Sequence, residues 1–300
     1  MQKIVPHLWY DGAAEAAAAL YASLIPGSAV GAVTRYGAAG QEVHGQEPGS
    51  TMTVDLVLGG TEIVALNGGP LFRFTPAISL FVTLADRGDV DRAWDGLLDG
   101  GQALMPIDAY PWAPRYGWLA DRWGLTWQIA LGDPAASGRA VVPSLMFTGA
   151  NAGRAEEAMK LWTGLLPDSS VDGVLRWDGA ESPDPAGAVK HAQFRLAGET
   201  FMAMDSAMAH GFGFNEAFSL LVQCDDQAEI DRLWAALSAE PDAEACGWLK
   251  DRFGVSWQIA PREAARMLSG PDREAADRVM AAFMEMRKID IATLEAAFAA

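Results

Sequence analysis

Gly117-Trp-Leu-Ala-Asp-Arg-Trp-Gly-Leu-Thr-Trp-Gln-Ile-Ala130 and Gly247-Trp-Leu-Lys-Asp-Arg-Phe-Gly-Val-Ser-Trp-Gln-Ile-Ala260 are two versions of one segment. They differ only at Ala120/Lys250, Trp123/Phe253, Leu125/Val255 and Thr126/Ser256, so ten of fourteen positions agree at an offset of 130. Such self-similarity at long range marks an internal duplication, and it has to be read before any single element is assigned.

Working outward, Leu20–Ser28 parallels Leu161–Ser169, and Asp89–Trp94 parallels Glu229–Trp234. The offsets drift between 130 and 141, as loop insertions require. Two copies are expected, at 1–132 and 140–260, joined near Gly132–Gly138, with a helical tail over 261–300. Ile4–Tyr10 alternates and reads as a strand. Ala13–Leu24 reads as a helix stopped by Pro26-Gly27. Met52–Leu58 and Glu62–Leu66 flank Gly59-Gly60, a hairpin signal. Ile78–Leu84 is an apolar strand, and Val90–Leu98 an amphipathic helix that Asp86 or Asp89 would cap. Short strands are expected near Ala103–Ile107, Tyr116–Leu119 and Thr126–Ala130, and the second copy repeats the pattern. Each copy is thus two βαβββ units, an α+β fold with a curled, mainly antiparallel sheet. Helices would cover one face and leave the other as a cleft. In the tail, Arg262–Leu268 would stop at Gly270-Pro271. Asp272–Met286 has near-helical apolar spacing, and Ile291–Phe298 would be capped from Asp290.

The net charge of −17 and pI near 4.5 argue against nucleic acid and anionic membrane as partners. No apolar run approaches the ~20 residues a spanning helix needs. Cys224 and Cys246 are too few for a disulfide framework or a zinc cluster. With no apolar leader after Met1, a cytoplasmic, reduced protein is expected.

Alternation picks out the side chains that face the cleft. If Trp127 and Ile129 meet the helices, Gln128 points the other way, and Gln258 likewise. In the first strand, Val5, His7 and Trp9 oppose Ile4 and Leu8. In the second copy, His191, Gln193 and Arg195 oppose Ala192, Phe194 and Leu196. His191 with Asp205 is the candidate acid/base pair, since histidine titrates near neutrality. His7, Trp9, Asn67, Trp118 and Gln128 would bind substrate in the first copy; Trp248 and Gln258 would do so in the second. No phosphate loop, nucleophile elbow or dinucleotide fingerprint is present. Each copy offers one strand histidine, so no metal and no other cofactor are expected.

Pro6-His-Leu-Trp-Tyr-Asp-Gly12, Ala65-Leu-Asn-Gly-Gly-Pro70, His191-Ala-Gln-Phe-Arg-Leu-Ala-Gly198, Met204-Asp205 and the closing Trp-Gln-Ile segments resemble the vicinal-oxygen-chelate superfamily. They are similar in particular to its PhnB-like branch, labelled "3-demethylubiquinone 3-methyltransferase domain". The resemblance implies two tandem glyoxalase-like domains with clefts built between paired units, here an internal pseudo-dimer of the two copies. Metal-dependent members carry His or Gln on the first strand, His at the start of the fifth and Glu on the last. His7 matches the first position, Ala77-Ile78 and Ala217-Phe218 stand at the second, and Gln128 and Gln258 at the third. Neutral ligands hold a divalent ion poorly. The label's methyl transfer has no Gly-rich strand-to-helix turn to support it.

The expected function is therefore binding or non-metal transformation of a small molecule. The alternatives are a metal-dependent lyase or isomerase of glyoxalase type, and a sequestering protein without catalysis. Because His7 faces Ser144 and Thr53 faces His191 between the copies, only one cleft is expected to work.

Overall fold

Apolar alternation and helical spacing partition the chain into four successive βα modules and a tail, seen in a computed structural model that describes residues 2–180, 183–270 and 272–300. The first module holds β1 (Ile4–Tyr10), α1 (Ala14–Leu24), β2 (Ala29–Arg35), α2 (Gln41–His44), β3 (Thr51–Leu58) and β4 (Thr61–Asn67). The second holds β5 (Ile78–Leu84), α3 (Arg87–Leu98), β6 (Gln102–Tyr110), β7 (Ala113–Ala120) and β8 (Thr126–Leu131). The third holds β9 (Val141–Phe147), α4 (Ala155–Leu165), β10 (Ser170–Arg176), β11 (Val189–Leu196) and β12 (Glu199–Asp205). The fourth holds β13 (Phe218–Cys224), α5 (Gln227–Leu237), β14 (Trp248–Lys250) and β15 (Ser256–Pro261). The tail is α6 (Ala264–Ser269), α7 (Arg273–Met284) and α8 (Ile291–Ala299). Pro271, part of the expected stop after the first tail helix, lies outside the described residues.

Local chemistry sets the element ends. Asp86, not Asp89, caps α3 by accepting from Asp89 N at 3.1 Å. Asp290 caps α8 by accepting from Thr293 N at 2.8 Å. α1 buries Ala14, Ala17, Ala18, Tyr21 and Leu24, one stripe at i, i+3, i+4 and i+7.

The strands form two open mixed sheets. Sheet A runs β14-β15-β13-β1-β4-β3-β2, and sheet B runs β10-β11-β12-β9-β5-β8-β7-β6. Neither sheet belongs to one copy. Sheet A joins the first module to the fourth, and sheet B joins the second to the third. The expectation that each copy folds its own sheet around its own cleft is corrected here. The seams are antiparallel and mutually equivalent: His7 pairs with Ser219 across β1–β13, and Ser144 pairs with Ser79 across β9–β5. Trp9 N donates to Ala217 O at 2.9 Å, and Met146 N donates to Ala77 O at 2.7 Å. The two copies are thus related as subunits of a two-fold dimer would be.

The repeated Gly-Trp-Leu-x-Asp-Arg segment proves to be a structural device. Asp121 lies in the core, where its Oδ2 accepts from Tyr21 Oη at 2.6 Å and Trp127 Nε1 at 3.0 Å. Its Oδ1 accepts from Trp123 N and Leu125 N. Asp251 does the same with Trp162 Nε1, Trp257 Nε1, Phe253 N and Val255 N. In each copy one buried carboxylate ties the first helix to the last strand. Burial raises both carboxyl pKa values, against the donors that favour the charged form.

The copies differ most between Trp94 and Gly117. The offset is 140 at Trp94/Trp234 and 130 at Gly117/Gly247, so the second copy is ten residues shorter there. In the first copy that stretch builds the β6–β7 hairpin. In the second, three-residue β14 is all that remains. The tail fills the place of the missing strand: Cys246 N donates to Met286 O and Gly247 N to Arg287 O, both at 2.7 Å.

Candidate functional site

The core side of β1 is fixed by Ile4, Leu8 and Tyr10, so His7 and Trp9 emerge on the opposite, concave face of sheet A. Gln258 joins them from β15 and Trp248 from β14, where the two are paired. Between His7 and Gln258 stands Ser219, whose Oγ accepts from Gln258 Nε2 at 2.9 Å. Trp9 meets Trp248 edge-on with centroids 6.0 Å apart. Three strand spacings separate them, about 14 Å along a flat sheet. The approach measures how strongly sheet A curls. Phe72 packs on Trp9 from the other side at 5.0 Å, and Trp9 Nε1 donates to Gly69 O at 2.7 Å. This is cleft A.

His7 is its chemical peculiarity. Both ring nitrogens are sealed from solvent and have no hydrogen-bond partner among the described residues. Burial pushes its pKa down to about 4, so the ring is a neutral imidazole over the physiological range. A neutral imidazole carries one donor and one acceptor, and leaving a buried polar group unmatched costs about 1–3 kcal/mol.

Cleft B, on sheet B, carries the equivalent positions with different chemistry. Gln128 corresponds to Gln258, Ser79 to Ser219 and Ser144 to His7. Gln128 Oε1 accepts from Tyr116 Oη at 2.7 Å, and Gln128 Nε2 donates to Ser79 Oγ at 2.7 Å and Ser144 Oγ at 3.4 Å. Both ends of this amide are therefore bonded within the protein. Trp118, paired with Gln128 across β7–β8, has a buried indole N–H without a partner among the described residues. His191 faces this side from β11, and burial lowers its pKa. Trp112 is exposed at the β6–β7 tip, stacked on Tyr110 at 5.0 Å.

The structure regroups the sequence candidates. His7, Trp9, Trp248 and Gln258 share cleft A; Trp118, Gln128 and His191 share cleft B. Asn67 and Asp205 face neither. They are equivalent residues at the ends of β4 and β12, on the helix side of each sheet. Asn67 Oδ1 accepts from Ala14 N at 2.9 Å, and Asp205 Oδ1 from Ala155 N at 3.0 Å. Neither Ala13 nor Arg154 caps its own helix, so these strand residues supply the acceptor. Asn67 Nδ2 also donates to Thr51 O, while Asp205 Oδ2 accepts from Val189 N. The geometry does not bring Asp205 to His191. Ser219, Ser79, Ser144 and Tyr116 escaped the sequence reading. In Ile78-Ser79-Leu80 and Phe218-Ser219-Leu220 the polar residue between apolar neighbours is the signal that would have found the first two.

The polar groups gathered in cleft A are the imidazole of His7, the hydroxyl of Ser219 and the amide of Gln258, and in cleft B the hydroxyl of Ser144 stands in place of the imidazole. None is anionic, and the described residues contain no cluster of three His, Cys, Asp or Glu able to hold a metal ion. These donor sets do not fit a divalent cation. No described helix is long and apolar enough to cross a membrane.

The family model described as 3-demethylubiquinone-9 3-methyltransferase matches the chain twice, over residues 2–130 and 139–260. Among solved structures, a PhnB protein from Bacillus cereus is similar at 33% identity, over 44% of this chain and 100% of that one, with a TM-score of 0.40. Protein PA1353 from Pseudomonas aeruginosa is 23% identical over 44% of this chain and 98% of its own, with a TM-score of 0.37. Glyoxalase I from Zea mays spans 89% of this chain and 98% of its own at 12% identity, with a TM-score of 0.51, a likeness of fold. The comparison with curated proteins gives no match.

Proposed function

Because the chain belongs to the 3-demethylubiquinone-9 3-methyltransferase family, the PhnB-like proteins of glyoxalase fold, we propose that it binds a small organic molecule in cleft A. The observation that carries this reading is His7, whose two sealed ring nitrogens lack partners beside a glutamine with a carbonyl left over. Gln258 Nε2 is held by Ser219, and Gln258 Oε1 accepts from none of the described residues. A ligand with one acceptor and two donor hydrogens would satisfy the two ring nitrogens of His7 and the Gln258 carbonyl. Trp9 and Trp248 supply apolar walls that suit a flat, uncharged body.

A thermal-shift screen of uncharged aromatic and carbonyl metabolites at pH 7 tests the reading. Stabilising hits are expected to vanish in His7→Ala and Gln258→Ala and to persist in His191→Ala. Hits that survive the first two changes would remove cleft A from consideration, and hits lost only in His191→Ala would move the site to cleft B.

A further inference from the structure

Sheet A is seven strands wide, six spacings and about 29 Å along its arc, yet the segments flanking both of its edge strands meet one residue of the tail. At one end, Gly40 follows β2, and a side chain at Gly40 would run into Met284 Sδ. At the other end, Cys246 precedes β14, and its Sγ lies 3.9 Å from Met284 O as a weak donor. The next tail residues run on along that edge through the bonds from Cys246 N and Gly247 N described above. The loop that follows β2 and the segment that precedes β14 therefore approach each other, with the end of α7 between them.

We infer that the tail is the closing wall of cleft A, with Met284 as the residue that spans its mouth. The inference rests on cleft A being the ligand site and adds the element through which a ligand must pass. The tail takes the place that β6 holds in sheet B, but its anchoring is different in kind. A β-hairpin strand is tied to its neighbour along its whole length. The tail is tied at a few points beyond Met284: Gln227 Nε2 donates to Ile289 O at 3.1 Å, Gln227 Oε1 accepts from Ile291 N at 2.9 Å, and Lys288 pairs with Asp231 at 2.5 Å. Ile289 is fully buried against Gly247, where an added Cβ would stand 3.1 Å from Ile289 Cγ1. A wall held by two main-chain hydrogen bonds, one side-chain amide, one exposed ion pair and one apolar plug can detach without unravelling the sheet. In cleft A the missing hairpin has thus been exchanged for a part that can open.

Two native groups report on this without any ligand. Cys246 lies under the tail and His7 lies within the cleft. In the full chain, Gln227→Ala with Lys288→Ala removes the side-chain polar anchors, and Ile289→Asp removes the plug. Labelling of Cys246 by an aromatic disulfide reagent follows the tail, and acylation of each histidine by diethyl pyrocarbonate, mapped by peptide mass, follows the clefts. Both variants are expected to raise Cys246 and His7 reactivity together, at least tenfold over the parent, with His191 within twofold and the far-UV dichroism unchanged. Faster labelling of Cys246 with His7 still protected would overturn the inference, because the seal would then be Trp9 and Trp248. So would an unchanged Cys246 in both variants, since the tail would not be separable. A failed ligand screen with both rates raised would instead sink cleft A as a binding site and leave the wall standing.

Discussion

Clefts A and B occupy equivalent places in the two halves of the molecule, and they differ in whether the protein has bonded both ends of the central glutamine amide. In cleft B, Ser144 and Tyr116 complete a network around Gln128. In cleft A, His7 replaces the serine and Cys246 stands at the tyrosine's position, with its thiol turned toward the tail. A single change at each position separates a closed network from an open one. Binding sites are built by leaving groups unmatched, and the stability this forgoes is the measurable trace of the site.

The comparison has a fixed frame, and breaking the frame should have the largest effect. Asp121→Ala and Asp251→Ala each leave four donors in the core without an acceptor. Each is expected to cost about 4 kcal/mol in urea denaturation, alike in the two halves. A large inequality would mean that the halves are not equivalent supports.

Next in size is the pH response of cleft A. The folded pKa of His7, about 4, lies below the unfolded value near 6.5. Between these values the unfolded chain binds the proton first, so stability from this group is intact above pH 6.5 and is lost as pH falls toward 4. The loss reaches at most about 3 kcal/mol. His7→Ser, which copies cleft B, is expected to flatten that part of the pH–stability curve. A curve of unchanged slope would show that His7 is hydrated rather than sealed.

The smallest contrast is between the glutamines. Gln128→Leu strands Tyr116, Ser79 and Ser144 and should cost about 2–3 kcal/mol, whereas Gln258→Leu strands only Ser219 and should cost about 1 kcal/mol or less. Equal costs would mean that the two amides are held alike.

Much of this was legible in the sequence. The repeated closing segment established the duplication, and strand alternation placed His7, Trp9, His191, Gln128 and Gln258 on concave faces. The partners across each cleft were not legible. Pairing β1 with β13 joins residues more than two hundred positions apart, and alternation says which face a side chain takes but not which strand lies beside it. Asp205 is a different case. Phe201, Ala203 and Asp205 share one parity, and the apolar pair already pointed that face at the helices. The helix cap it provides was hidden because the acceptor comes from a distant strand instead of the residue preceding α4.

The exchange of modules between sheets bears on how such a molecule diversifies. In a dimer of identical chains, a substitution made for one interfacial site is imposed on the other, because both are encoded once. Here each sheet draws one module from each copy, so every cleft position has its own codon. His7 could be acquired without installing a second unmatched imidazole at Ser144. The same tether makes the partner module intramolecular, and assembly of both sheets does not depend on protein concentration. Covalent fusion has in this way converted an enforced symmetry into two independently mutable sites.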